Sequence, residues 1–186
     1  MILLARHGET DWNAPPARVQ GWYDEPLNEI GRAQARALAE RVASEGLAAL
    51  WTSHLSRARQ TAAAVAAELR LEARVDERLA ESNCGHWEGR LHERIERDEP
   101  EAWASYRRAG ASFRYPGGES LGEHQERTRA VLADVVRAPL PALVVCHGGS
   151  IRCALLDGDP RGLAAYHDVS VPNAGLFALA RLDRPR

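Results

Sequence analysis

Short apolar runs alternate along this chain with longer segments of helical period, and that alternation restricts the fold more than any other feature. The runs cover residues 2–5, 48–51, 143–146 and 176–179. Each is too short for a buried helix and is rich in aliphatic residues, as strands are. Between the first two, Asn28 is placed to cap a helix with apolar residues Ala33, Ala37, Leu38 and Val42, and Gly46 is placed to end it. Ser56 precedes a second such stripe, Ala58, Ala62, Val65 and Leu69. Ser120 and Glu123 form a capping box ahead of Leu121, Thr128, Leu132 and Val135. Strands separated by helices predict an α/β fold. The charge-rich stretch 90–115 predicts a mainly helical excursion that closes in a tight turn at Pro116-Gly117-Gly118, and the residues after Leu182 read as a frayed tail. The 186 residues suffice for one hydrophobic core, so a single domain spanning 1–186 is expected.

Polar residues follow three of these strands directly. The first runs into Arg6-His7-Gly8-Glu9-Thr10, the second into Thr52-Ser53-His54, and the third into His147-Gly148-Gly149-Ser150. Open α/β sheets bind ligands beyond the carboxyl ends of their strands, so three separate pieces of sequence point to one site.

Composition narrows what that site can do. All 24 basic residues are arginine; there is no lysine. This excludes a lysine-bearing P-loop, a protein-kinase site and any Schiff-base mechanism. It leaves guanidinium groups as the fixed cations, whose forked geometry suits phosphate. With 26 acidic residues and a net charge of −2, the chain has no field that favours nucleic acid or an anionic membrane. The three cysteines, Cys84, Cys146 and Cys153, match no disulfide framework and no CxxC pair. Together with an N-terminal apolar run too short for a signal peptide, and no segment suited to span a bilayer, they predict a cytoplasmic protein.

The ordered set of motifs resembles the histidine phosphatase superfamily, also called phosphoglycerate-mutase-like. The resemblance begins at Arg6-His7-Gly8 with Asn13 and continues through Gln20-Gly21-Trp22-Tyr23-Asp24-Glu25-Pro26-Leu27. It runs on through Ser53-His54-Leu55-Ser56-Arg57-Ala58, Glu81, and Gly85-His86-Trp87-Glu88-Gly89. Pro116-Gly117-Gly118-Glu119-Ser120 and His147-Gly148-Gly149 with Arg152 complete it. It implies a three-layer α/β/α sandwich with a mostly parallel central sheet. It also implies catalysis by His7, Arg6, Arg57, His147 and Glu81, with Asn13, Gln20, Gly21 and Gly148 around the phosphate.

The side chains suit those roles. A neutral imidazole attacks phosphorus and forms a phosphohistidine that water can hydrolyse. Gly8 would let the backbone turn and approach the ligand. Arg6 and Arg57 would clamp the equatorial oxygens, and His147 would donate to one of them. The glycines after His147 open a helix whose free N–H groups would face the anion. Glu81 would protonate the leaving oxygen, provided that its surroundings raise its pKa. Trp22, Tyr23, Trp87 and Glu119 are candidates for the organic part of the substrate, against core packing or helix-end roles. For Arg107, Arg108 and Arg114 the plain reading is a solvated face.

The expected activity is therefore metal-independent hydrolysis of a small phosphorylated metabolite, with no cofactor and with a homodimer as the assembly kept in view. The motif block after Glu81 is closer to the small broad-specificity and α-ribazole phosphatases, and a cofactor-dependent phosphoglycerate mutase is the alternative. A metallohydrolase using Cys84, His86, Cys146 and His147 is disfavoured because the spacings match no common zinc signature. A non-catalytic phospholigand-binding module is disfavoured because all five core residues are present.

Overall fold

The computed structural model of the protein describes residues 1–179. Five strands form one sheet: β1 (Ile2–Arg6), β2 (Ala49–Thr52), β3 (Ala73–Val75), β4 (Ala142–Cys146) and β5 (Leu176–Leu179). Their order is β3-β2-β4-β1-β5; every pairing is parallel except β1 with β5. The helices are α1 (Glu29–Val42), α2 (Ser56–Leu69), α3 (His92–Asp98), α4 (Pro100–Arg108), α5 (Leu121–Arg137) and α6 (Gly148–Leu155). The strands predicted from sequence are present within one residue at each end. β3 was not anticipated, because three residues are too few to display a period. The tail expected after Leu182 lies outside the described residues.

Alternation along β1 builds the layers. Ile2 and Leu4 pack with Trp51 and Val144 against Val131, Leu132 and Val135 of α5 and Ile151 of α6. Leu3 and Ala5 pack on the opposite face with Leu50, Leu143 and Val145 against Leu38 and Val42 of α1 and Ala58, Ala62 and Val65 of α2. Successive strand side chains point to opposite faces, so a strand apolar throughout is buried on both. The result is the three-layer α/β/α sandwich.

Helix starts follow the caps. The Asn28 side chain accepts from Gly31 N–H (2.8 Å), and Ser120 and Glu123 form the reciprocal capping box. Ser56 behaves otherwise: it is the first helical residue, and the preceding Leu55 offers no cap. Asp24 serves instead, its carboxylate accepting from the Ser56 N–H (2.6 Å) and hydroxyl (2.7 Å). α1 ends at Val42, short of Gly46, which lies in the following loop at φ +61°. The excursion is helical as expected, in α3 and α4. It supplies a third cluster, in which Trp87, Ile95, Phe113, Tyr115, Leu121, Leu163 and Tyr166 pack together. No helix of the described residues is long and apolar enough to cross a membrane.

Candidate active site

In the parallel pairing of β1 with β4, Arg6 stands opposite Cys146. The next residue of each strand, His7 and His147, therefore leaves the sheet side by side. The His7 N–H donates to the Cys146 carbonyl (3.0 Å), and the two imidazole centroids lie 5.2 Å apart. His7 Nδ1 lies 2.7 Å from the Gly8 carbonyl oxygen. A carbonyl can only accept, so the proton is on Nδ1 and Nε2 keeps a free lone pair. Burial pushes the His7 pKa well below 6.5, and the Arg57 and Arg6 charges push it the same way. His147, fully buried, is depressed by burial, then by Arg57 and His7; neither of its ring nitrogens has a hydrogen-bond partner.

Gly8 also meets a packing constraint. A Cβ there would lie 2.4 Å from the Gly31 carbonyl oxygen, and a Cβ on Gly31 would lie 2.0 Å from that of Glu9. The two glycines thus let the start of α1 press against the chain leaving β1, backbone to backbone.

The arginines are braced by carbonyls. Arg57, in the first turn of α2 and fully buried, donates from Nη2 to the Gly21 carbonyl and from Nη1 to that of Tyr23, both at 2.8 Å. Arg6 Nη1 donates to the Val171 carbonyl (2.6 Å). In both, Nε is buried without a partner. Burial lowers the pKa of Arg57 and pushes that of Arg6 down to about 10, which leaves Arg6 a cation at neutral pH. The second strand end thus contributes through Arg57, beyond it in α2; Ser53 and His54 do not line the cavity.

Glu81 reaches the same place from the loop after β3. One carboxylate oxygen accepts from its neighbour Ser82 N–H (2.9 Å), the other from Gly149 N–H (3.1 Å) in the first turn of α6. Behind it, Arg127 of α5 donates to the carbonyls of Arg78 (2.8 Å), Ala80 (2.6 Å) and Glu81 (2.7 Å), and the Trp22 indole also donates to the Glu81 carbonyl (2.7 Å).

Most of these groups open on a cavity of about 280 Å³, whose lining does not include the fully buried His147. Arg6, His7, Asn13, Gln20, Gly21, Arg57 and Glu81 line it; at the α6 end the lining glycine is Gly149, with Gly148 outside the lining. The Asn13 carbonyl oxygen accepts from Thr10 N–H (3.0 Å) and its amide pairs reciprocally with that of Asn173, so the side chain braces two loops at the rim. Gln20 Oε1 is buried and unpartnered. Gly21 lies at φ +54°, where a Cβ would strike Glu88.

Of the candidates for the organic part of a substrate, Trp87 alone lines the cavity. Trp22 and Tyr23 are half-exposed, Tyr23 stacked on Trp12 with centroids 4.2 Å apart. Glu119 is engaged by Arg127 and by Asn83 N–H. Arg107, Arg108 and Arg114 are exposed and none lines the cavity, in keeping with a solvated face. The wall is completed by residues that the sequence reading did not single out, Trp103, Tyr106, Tyr115 and Tyr166, with Arg152 over the Tyr166 ring at 5.3 Å. Their aromatic spacing carries no motif, and only packing assembles them. Among the described residues no three His, Cys, Asp or Glu side chains gather as a metal site, and Cys84 and Cys146 are buried thiols.

The profile of the histidine phosphatase superfamily (branch 1) matches residues 2–184. A protein named "Probable phosphoglycerate mutase GpmB" from Yersinia enterocolitica is 39% identical over 157 residues, which cover 83% of this chain and 72% of the relative. Among solved structures, Bacillus stearothermophilus YhfR superposes with a TM-score of 0.85 at 31% identity, over 93% of this chain and 86% of its own. The native mycobacterial glucosyl-3-phosphoglycerate phosphatase does so with a TM-score of 0.82 at 32% identity, over 94% and 87%. The motifs, the strand-end pair of histidines and these likenesses agree: the chain belongs to the histidine phosphatase superfamily.

Proposed function

We propose that this enzyme is a metal-independent phosphomonoesterase acting on a small phosphorylated metabolite through a phosphohistidine on His7. One observation carries the reading. Seven buried side-chain polar atoms among the described residues lack a partner, and five of them belong to Arg6, Gln20, Arg57 and His147. Buried polar groups are nearly always satisfied; here Arg6 Nε, Arg57 Nε and the one N–H of a neutral His147 are unpaired donors, which fits a site built for an anion, while Gln20 Oε1 is an unpaired acceptor.

The chemistry balances with the groups present. The Nε2 lone pair of His7 attacks phosphorus as the bond to the ester oxygen breaks. The electron pair released to that oxygen is met by a proton from Glu81. Water then attacks phosphorus, gives a proton to the Glu81 carboxylate, and returns the bonding pair to Nε2. Arg6, Arg57 and His147 hold the equatorial oxygens, where charge must be matched and little covalent work remains. The aromatic wall would receive the organic part of the ester.

The name borne by the Yersinia relative favours a second reading, a phosphoglycerate mutase, which shares the first half-reaction. The phosphatase named among the structural neighbours favours hydrolysis. A screen of phosphorylated metabolites with and without a strong chelator, beside acid-quench labelling of wild type and His7→Ala, tests the proposal. Release of phosphate in chelator and an acid-labile adduct on His7 are expected. Interconversion of phosphoglycerates on adding bisphosphoglycerate, without net phosphate release, would turn the assignment to the mutase.

A further inference from the structure

His124, in the first turns of α5, is fully buried and belongs to none of the motifs. Its two ring nitrogens are nevertheless both engaged. Nδ1 lies 2.6 Å from Ser82 Oγ and Nε2 lies 3.0 Å from Ser150 Oγ. Ser150 Oγ is in turn 3.0 Å from the Ala80 carbonyl oxygen and 3.5 Å from that of Leu79. A carbonyl can only accept, so the Ser150 hydroxyl spends its one proton there. The bond between Ser150 and Nε2 must then be donated by the ring. That leaves Nδ1 bare, and it is the Ser82 hydroxyl that donates to it. Every proton in the chain from Ser82 through His124 and Ser150 to the Ala80 carbonyl therefore has one place.

The two serines are not arbitrary residues. Glu81 is held by the backbone N–H of Ser82 and by the backbone N–H of Gly149, which precedes Ser150. These donors come from segments far apart in sequence, the loop after β3 and the start of α6. The imidazole bridges them from behind, and its edge closes on the same spot: a Cβ on Gly149 would lie 2.1 Å from Glu81 Oε1 and 3.0 Å from His124 Cε1. We propose that His124 is a positioning residue for proton transfer, a yoke that sets the spacing between the two N–H groups on which the Glu81 carboxyl rests. This builds on the reading of Glu81 as the proton donor.

A positioning role should show only when the donor matters. Phosphoenzyme formation would be followed by rapid quench with an alkyl phosphate, whose leaving oxygen needs a proton, and with p-nitrophenyl phosphate, whose leaving group does not. His124→Leu is expected to slow the alkyl ester by about 10- to 100-fold, part of the range typical of general acid catalysis, while leaving the aryl ester within about threefold. His124→Gln, which keeps one acceptor and one donor on a planar group, should recover most of that loss. Ser150→Ala, a smaller change, should reproduce the selectivity and provides the measurement should the leucine variant not fold. Equal losses on both esters, or no loss in folded Ser150→Ala, would overturn the yoke. Glu81→Gln run alongside separates the two ideas. If it is selective for the alkyl ester while the His124 and Ser150 variants are not, only the yoke fails; if it is unselective, the donor role of Glu81 fails and the yoke with it.

Discussion

At one end of the cavity the proposed reacting groups stand on backbone that the sheet holds; at the other the wall is made of side chains holding one another. His7 and His147 are adjacent because β1 and β4 pair in one register, and Arg57 is aimed by carbonyls of the 21–23 loop. The far wall has no such frame. Trp87 meets Tyr106 and Tyr115 edge-on, with centroids 5.8 and 5.7 Å away, and Phe113 meets Tyr115 in the same manner at 5.0 Å. Strand register is set in whole residues, so it places a nucleophile without drift, whereas ring-on-ring packing can be altered one side chain at a time. A sheet-held end paired with a replaceable wall is the arrangement expected where one fold takes many ligands.

The contrast can be broken at its strong end first. His7→Ala should abolish turnover, by about 10⁴-fold or more, with little change in thermal stability, since the group removed is the proposed nucleophile. Comparable turnover in the variant, measured as phosphate release, would mean that the strand-end pair is not the reacting centre. Trp87→Ala should do the reverse. Removing a fully buried indole costs about 3–5 kcal/mol of stability in denaturant titrations. In material that remains folded, KM should rise more than kcat falls.

A smaller effect is expected from Arg57→Lys, which keeps the charge and loses the fork. Turnover should fall by about 10²-fold, near 2.7 kcal/mol of transition-state stabilisation, with the fold intact; near-normal activity would remove Arg57 from the clamp. The smallest effect concerns acid. His7, His124 and His147 are buried with pKa values held well below 6.5, burial being the chief cause in each. Below about pH 6.5 the unfolded chain takes up protons that the folded chain refuses, so this stability is complete above that pH and declines as pH falls toward the folded values. Each imidazole contributes up to about 1.4 kcal/mol per pH unit to the decline. His147→Gln should therefore give a shallower loss than wild type between pH 6.5 and 5. An unchanged slope would place the acid sensitivity away from His147, at His7 and His124 or at the half-buried His167.

Much of the phosphate end was legible beforehand, and the far wall was not. Strand runs, the Asn28 cap and the Ser120–Glu123 box act over a few residues, so they leave a period or a spacing that can be read along the chain. His7, Arg6, Arg57, Glu81 and His147 could be named because their short blocks resemble, in order, those of the histidine phosphatase superfamily. The cap of α2 could not, because Asp24 lies 32 positions from the Ser56 that it serves. His124 left a faint trace: it occupies the position of the α5 stripe between Leu121 and Thr128 where an apolar residue would be expected.

What the amino-acid order determined by itself was the succession of strands and helices, the residues at their ends and, through the absence of lysine, the kind of cation that the pocket could hold. The tertiary structure alone decided that Arg127 grips the loop bearing Glu81, that Ser82 and Ser150 meet across one imidazole, and that Tyr166 and Trp87 line one cavity. The physical reason is range. Caps and periodicity are local interactions, while these contacts exist only after sheet register and helix packing have brought distant segments within hydrogen-bonding or van der Waals reach.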